Sequence, residues 1–127
     1  FEGNEELLEV AKRGWDSLKL KNIVSKAGNI DDELPTFLET HPAAIDLVFM
    51  DANHTYEATV SYFNSLLPHL NKNAVIIVDD IHWSAGMEKA WEEIINSTEV
   101  SISIDLFHKG FLFFRKDIEK EHFVLRV

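Results

Sequence analysis

Two short apolar runs, residues 45–50 and 74–78, constrain the fold of this chain most strongly. The first is interrupted only by Asp46, and the second is apolar throughout. Runs of this length fit strands that are covered on both faces, as in a parallel sheet. Between them, apolar residues recur at steps of four and three, which predicts a connecting helix. These residues are Tyr56, Val60, Phe63, Leu67 and Leu70.

Helices and strands are expected to alternate along the rest of the chain as well. Apolar spacing predicts helices at 4–18, 31–39 and 87–95, and strands at 22–26 and 101–106. A turn at Lys109-Gly110 before the apolar residues 111–114 predicts a C-terminal antiparallel hairpin. The apolar tail at 123–125 is expected to pack on a sheet edge. This order predicts a single α/β domain over residues 1–127, with a doubly wound, mostly parallel sheet.

Composition excludes several classes of function. The chain has 12 Lys and Arg residues against 22 Asp and Glu, a formal charge of −10, which argues against a nucleic-acid partner. It has no cysteine, which excludes a disulfide framework, a thiolate zinc site and a cysteine nucleophile. No apolar run approaches the roughly 20 residues of a membrane span, and no signal peptide is visible. We therefore expect a cytoplasmic protein that does not bind a membrane.

Carboxylates follow both apolar runs at the point where each predicted strand ends. Asp51 comes directly after the first run, and Asp79 and Asp80 follow the second. If the two strands are neighbours, these three groups converge, and they repel one another unless a cation or shared protons compensate. Such oxygen-rich clusters suit Mg²⁺, Mn²⁺ or Ca²⁺. The alternative is that each carboxylate only caps a helix or bonds backbone amides.

His54 is the candidate general base. It lies three residues after Asp51, close enough to share a site with that carboxylate, and a neutral imidazole there could accept a proton from a hydroxyl group. The alternative is a histidine at a helix start without a chemical role. His82 follows the paired acids and is expected beside them, whereas His69 and His122 are expected on the solvated surface.

An ordered set of motifs resembles a known family. Ala27-Gly28-Asn29, the segment FMDANHTYE at 49–57 and the segment VIIVDD at 75–80 are similar to the second half of a class I S-adenosylmethionine-dependent methyltransferase. The similarity is strongest to the branch that methylates oxygen atoms of small molecules. It implies a Rossmann-like fold, S-adenosylmethionine as cofactor, and methyl transfer to a small-molecule acceptor such as a sugar, a phenol or a hydroxy acid.

The resemblance also implies roles for individual residues. Glu2 would hydrogen-bond the ribose hydroxyls of the cofactor, and Gly28 and Asn29 would contact the adenine. Asp51 is implied both as a cofactor-binding residue and, with Asp79 and Asp80, as a ligand of a divalent cation such as Mg²⁺. His54 matches the base of some members.

The family's glycine-rich loop is absent from this sequence, because the glycines are too scattered to form it. We therefore expect the chain to be the C-terminal portion of a methyltransferase fold, with the first strand and first helix missing. A partner chain, including a second copy in a homo-oligomer, could fill the resulting gap in the sheet.

Three other classes of protein are alternatives to a methyltransferase. A phosphoryl-accepting signalling domain is disfavoured, because Asp51 precedes the acidic pair and no lysine ends the 101–106 strand. A nicotinamide-dependent reductase lacks its tyrosine–lysine pair at helical spacing. A non-catalytic Rossmann-like binding domain stays open.

Overall fold

The computed structural model describes residues 1–41 and 44–126. The chain divides between residues 42 and 43 into two compact units, an N-terminal unit and a C-terminal unit. The expectation of one domain over the whole chain stays a prediction. In the described part of the chain, no helix is long and apolar enough to cross a membrane.

Two capped helices form most of the N-terminal unit. Helix α1 spans Glu5–Ser17, and the side chain of Asn4 accepts hydrogen bonds from the backbone N–H groups of Glu6 and Leu7. Helix α2 spans Ile30–Thr40 and is capped in the same way by Asn29. Both helices therefore lie where the apolar spacing predicts them, within one residue at each end.

The predicted strand at 22–26 is wrong. In the described part of the N-terminal unit, the only strand pairing is a single parallel bridge between Glu2 and Ala27. Ile23 and Val24 are 39% and 75% exposed. Extended backbone becomes a strand only when a neighbour pairs with it over several residues, and here the pairing stops after one position.

Five strands form a mixed sheet in the C-terminal unit. They are β1 (Ile45–Met50), β2 (Leu70–Asp79), β3 (Ile102–Asp105), β4 (Lys109–Phe113) and β5 (Glu121–Val124). Their order across the sheet is β1-β2-β4-β3-β5. The pairs β1–β2 and β3–β5 are parallel, whereas β4 runs antiparallel to both of its neighbours. The predicted α/β class, the C-terminal hairpin and the edge position of the tail are confirmed. The sheet is mixed rather than mostly parallel, with two parallel and two antiparallel pairings among the described strands.

The core of the C-terminal unit lies between the sheet and two contacting helices. These are α3 (Tyr56–Leu66), capped by Thr55, and α4 (Ala85–Asn96), capped by Ser84. Alternate residues of β2 are fully buried, with Ala74, Ile76 and Val78 each at most 1% exposed. The buried residues of the two helices complete this core: Thr59, Tyr62, Phe63 and Leu66 of α3, and Met87, Ala90, Trp91 and Ile94 of α4.

The prediction that the strands of both apolar runs are covered on both faces is wrong for β1, which lies at an edge of the sheet. Leu47 and Phe49 are 63% and 52% exposed, whereas Met50 is buried. The alternate burial in β2 has the same origin, because α3 and α4 cover one face of the sheet. An apolar run therefore identifies these strands correctly but overstates their burial.

Gly110 is required by close packing. An added Cβ at Gly110 would overlap two carbon atoms of the Trp91 ring. Gly110 belongs to β4 and Trp91 to α4, so this approach fixes the distance between the helix and the sheet. A methyl group there requires the buried indole to move.

We predict that Gly110→Ala destabilises the protein by about 1–3 kcal/mol through overpacking against Trp91. The control is Gly14→Ala in α1, where no atom lies within 4 Å of the added Cβ. That change should stabilise by about 0.5–1 kcal/mol, because alanine is the better helix former. Urea unfolding of the two variants measures both effects. A Gly110→Ala variant as stable as the parent would contradict the packing argument.

Candidate active site

Polar side chains gather at one edge of the C-terminal sheet. Strand β4 is antiparallel to both β2 and β3, so the ends of β1, β2 and β3 lie at the edge where β4 begins. Ligands of α/β sheets bind at the carboxyl ends of the strands. We call this edge the rim, and it comprises Asp51, Asp79, Asp80, Asp105 and Lys109 with their partners.

His54 lies between two of the predicted carboxylates. Its Nε2 atom is 3.2 Å from Oδ1 of Asp51 and 3.9 Å from Oδ2 of Asp80. Nε2 is shielded from solvent and makes no hydrogen bond within the described residues. The imidazole side chain itself is 30% exposed. The predicted association of these three residues is therefore present, with one ring nitrogen turned toward the carboxylates.

Two residues near His54 have left-handed backbone conformations. Asn53 has φ 58° and Asp80 has φ 53°. Asparagine and aspartate tolerate this region better than other residues with a Cβ. The backbone N–H of Asp80 donates to the carbonyl oxygen of His108. Strand β2 ends at Asp79, directly before the left-handed Asp80, whose side chain faces His54.

Asp79 is paired with a residue that the sequence reasoning did not identify. Lys109 donates from Nζ to Oδ1 of Asp79. Lys109 also lies over the Phe49 ring, with Nζ 5.6 Å from the ring centre. Hydrogen bonding to Asp79 raises the pKa of Lys109, partial burial opposes that change, and the charges of Asp80 and Asp51 add to the increase. Lys109 is thus a cation at the rim.

The predicted metal ligands do not form a metal-binding cluster in this arrangement. Among residues 1–41 and 44–126, no three acidic or histidine side chains converge closely enough to hold a metal ion. Asp79 is bonded to Lys109, whereas Asp51 and Asp80 face His54. The donor set therefore does not fit a divalent cation as it stands, and ligation by Asp51, Asp79 and Asp80 stays a prediction.

Asp105 is the most buried charged group of the rim, at 4% exposure. Its carboxylate lies 2.8 Å from Nε2 of His82, 2.7 Å from the backbone N of Phe107 and 3.0 Å from Nη1 of Arg126. Burial raises the pKa of Asp105, but these three hydrogen bonds outweigh it and lower the pKa to about 2. Asp105 is therefore a firmly ionised anchor.

His82 does not lie where the sequence reasoning expected it. It contacts Asp105 through Nε2 and Glu88 through Nδ1, at 2.8 and 3.3 Å, instead of the adjacent Asp79 and Asp80. His122 is exposed, as expected, and its Nδ1 lies 2.8 Å from Oγ of the buried Ser103. Both histidines contribute to the packing around β3.

The predicted cofactor residues of the N-terminal unit lie together. Gly28 donates its backbone N–H to the carbonyl oxygen of Glu2, and Asn29 follows directly as the cap of α2. The Glu2 carboxylate accepts a hydrogen bond from the backbone N–H of Asn4 at 2.8 Å. Gly28 has φ 130°, which favours glycine at this turn. The fold thus brings Glu2 to the turn that the resemblance assigns to adenine.

We predict that Asp105→Asn destabilises the protein by on the order of 2 kcal/mol at pH 7. The pKa of Asp105 falls from 3.8 to about 2 on folding, so its ionised form stabilises the folded state above pH 3.8. That contribution is lost as the pH falls toward about 2. Urea unfolding at pH 7 and near pH 3 should therefore show that the difference in free energy of unfolding between the parent and Asp105→Asn is smaller at the lower pH.

The control for this prediction is Asp117→Asn, because Asp117 is an exposed carboxylate paired with Arg115. That variant should unfold at nearly the same urea concentration as the parent. A pH-independent difference between Asp105→Asn and the parent would show that the charge of Asp105 is not what stabilises the fold.

Comparison with known proteins agrees with this architecture. A family model described as a methyltransferase domain matches residues 2–81. The chain is 30% identical over 73 residues to an uncharacterized protein of Acanthamoeba polyphaga mimivirus, a match that covers 55% of this chain and 33% of that protein.

Two solved structures share the fold. A provisionally named O-methyltransferase from Klebsiella pneumoniae has a TM-score of 0.69 at 16% identity, over 89% of this chain and 59% of its own. The O-methyltransferase TomG from Streptomyces achromogenes, involved in tomaymycin synthesis and solved with S-adenosylmethionine, has a TM-score of 0.65 at 25% identity. That match covers 87% of this chain and 57% of TomG.

The chain thus spans a third of the viral relative and less than two thirds of both structures. The resemblance drawn from the motifs is confirmed by the family match, which extends over the larger part of the chain. The chain belongs to the methyltransferase domain family and has the Rossmann-like fold of class I S-adenosylmethionine-dependent O-methyltransferases.

Proposed function

We propose that the protein transfers a methyl group from S-adenosylmethionine to an oxygen atom of a small-molecule acceptor. The observation that carries this proposal is the imidazole of His54, held at the rim between Asp51 and Asp80. A methyltransferase domain that acts on a hydroxyl group needs such a base, because the acceptor oxygen must lose its proton. The complex of TomG with S-adenosylmethionine supports the choice of cofactor.

Glu2, Gly28 and Asn29 are the proposed cofactor-binding residues of the N-terminal unit. S-adenosylmethionine, when bound, supplies an electrophilic methyl group. The Glu2 carboxylate can accept hydrogen bonds from both ribose hydroxyls. The Glu33 side chain lies 3.2 Å from where a Cβ of Gly28 would be, so the adenine is proposed to contact the backbone of the turn. Asp51 is the fourth proposed cofactor-binding residue and lies in the C-terminal unit.

His54 can act as a base through the nitrogen that does not face the carboxylates. We assign the ring proton to Nε2, because the Asp51 carboxylate lies 3.2 Å away and attracts it, although the two groups form no hydrogen bond in this geometry. That tautomer leaves a lone pair on Nδ1 for the acceptor proton. The imidazolium formed by this transfer is stabilised by Asp51 and Asp80, in the way that a carboxylate stabilises the histidine of a catalytic triad.

The first experiment tests cofactor binding. Titration calorimetry with S-adenosylhomocysteine should show that Glu2→Gln weakens binding by about tenfold or more, since hydrogen bonds to a charged group are lost. The matched control is Glu6→Gln, an exposed residue in the first turn of α1. Equal affinities for the parent and Glu2→Gln would contradict the role of Glu2. No binding by the full-length protein would contradict the proposed function.

The second experiment tests the base. Methyl-labelled S-adenosylmethionine is supplied with a panel of phenols, sugars and hydroxy acids, and labelled product is counted. His54→Gln should lower turnover by about 10²-fold or more while leaving the affinity for S-adenosylhomocysteine unchanged. The control is His69→Gln, which lies in the 3-10 turn after α3.

Unchanged turnover in His54→Gln would remove His54 from the mechanism. Cofactor binding without transfer to any acceptor of the panel would favour the alternative, a non-catalytic binding domain with a methyltransferase fold. The same assay, run with and without added Mg²⁺, tests whether a divalent cation contributes.

A further inference from the structure

We propose that Lys109 is the resident cation of the rim and holds the place on Asp79 that a divalent metal ion would need. The geometry of the Lys109–Asp79 ion pair is enough to support the first part of this proposal, that a lysine and not a metal ion lies beside Asp79. Its consequence for catalysis rests on the proposed methyl transfer, because it assigns Lys109 a part in that same site.

The backbone register fixes Lys109 beside Asp79. Lys109 is the first residue of β4 and pairs directly with Asp79, the last residue of β2. Side chains of opposed residues in antiparallel strands project from the same face and lie about 4.5–5.5 Å apart at Cβ. The ion pair between Nζ and Oδ1 is therefore set by the sheet and not by a chance rotamer of a surface lysine.

The surroundings of Lys109 are acidic on every side that contributes to the rim. Asp79 lies opposite on β2, and the charges of Asp80 and Asp51 come from the loops after β2 and β1. The Phe49 ring of β1 adds an aromatic face near the ammonium group. These contacts all favour the charged form of Lys109.

A metal ion on Asp79 would compete with Lys109 for the same carboxylate. The Asp79 side chain is only 16% exposed, and its Oδ1 atom is already bonded. A divalent ion placed beside an ammonium group would also be repelled by it. The remaining acids, Asp51 and Asp80, lie near Nε2 of His54. We therefore assign charge compensation at Asp79 to Lys109.

This assignment makes Lys109 a positioning residue for the proposed reaction. An acceptor oxygen becomes negatively charged as it loses its proton, and three carboxylates at one rim disfavour that charge. Lys109 neutralises Asp79 and leaves Asp51 and Asp80 to stabilise His54. Methyl transfer should then proceed without an added divalent cation.

The decisive experiment titrates Mn²⁺ into the purified chain and follows free Mn²⁺ by electron paramagnetic resonance. The parent should bind no Mn²⁺ at the rim in the micromolar range. Lys109→Met removes the charge but keeps most of the stem, and it should bind Mn²⁺ at least about tenfold more tightly than the parent. The added change Asp79→Asn should abolish that gain.

Three further variants control the measurement. Lys116→Met removes an exposed lysine that pairs with Glu99 and follows the end of β4 opposite to the rim, and it should bind Mn²⁺ like the parent. Lys109→Arg keeps the charge and should also resemble the parent. Lys109→Gln serves as a second neutral variant if circular dichroism shows that Lys109→Met does not fold.

Two results would overturn the proposal. One is Mn²⁺ binding by the parent that depends on Asp79 and is as tight as in the neutral variants. The other is a lack of Mn²⁺ binding by both folded neutral variants. Neither measurement uses S-adenosylmethionine or an acceptor. A failure to bind S-adenosylhomocysteine would therefore contradict the proposed function while leaving the result for Lys109 intact.

Discussion

The antiparallel pairing of β2 with β4 is the constraint on which the C-terminal unit depends. In that register Val78 lies opposite Gly110, and Asp79 lies opposite Lys109. In the first pair, Gly110 lies against the Trp91 ring. In the second, Lys109 and Asp79 form an ion pair of the rim. A slip of one residue would turn every side chain of β4 to the other face. Core packing and rim electrostatics are therefore fixed by one set of backbone hydrogen bonds.

Local patterns predicted the parts of the fold that local forces determine. Strand β1 has the predicted bounds, and α1 begins within one residue of its predicted start, where its cap Asn4 involves neighbouring residues only. The prediction of a strand at 22–26 was wrong, because a strand requires a pairing partner that its own sequence does not specify. The prediction that β1 is buried on both faces was wrong for a related reason. Leu47 and Phe49 are exposed, because an apolar run does not show which face of a strand a helix will cover.

The same division holds for the rim. Asp51 and His54 are three residues apart, and Asp80 follows a parallel neighbouring strand, so their meeting could be predicted from spacing and topology. Lys109 and Asp105 could not be assigned partners, because that requires the order β2-β4-β3 across the sheet. The sequence shows that Lys109 lies at a turn. Only the strand register, in which Lys109 pairs with Asp79, shows that it belongs to the rim.

The rim contains two kinds of carboxylate. One is buried and stabilises the fold, and the others are more exposed and are available for the proposed chemistry. Asp105 is buried and bonded by His82, Arg126 and a backbone N–H, which leaves it no freedom to respond to a ligand. Asp51 and Asp80 are more exposed, with side chains 48% and 35% accessible, and both face a histidine. On the proposed function, their negative charge also favours a cationic sulfonium over the neutral thioether that remains after transfer. An acidic rim with one fixed lysine would thus favour methyl-donor binding and product release together.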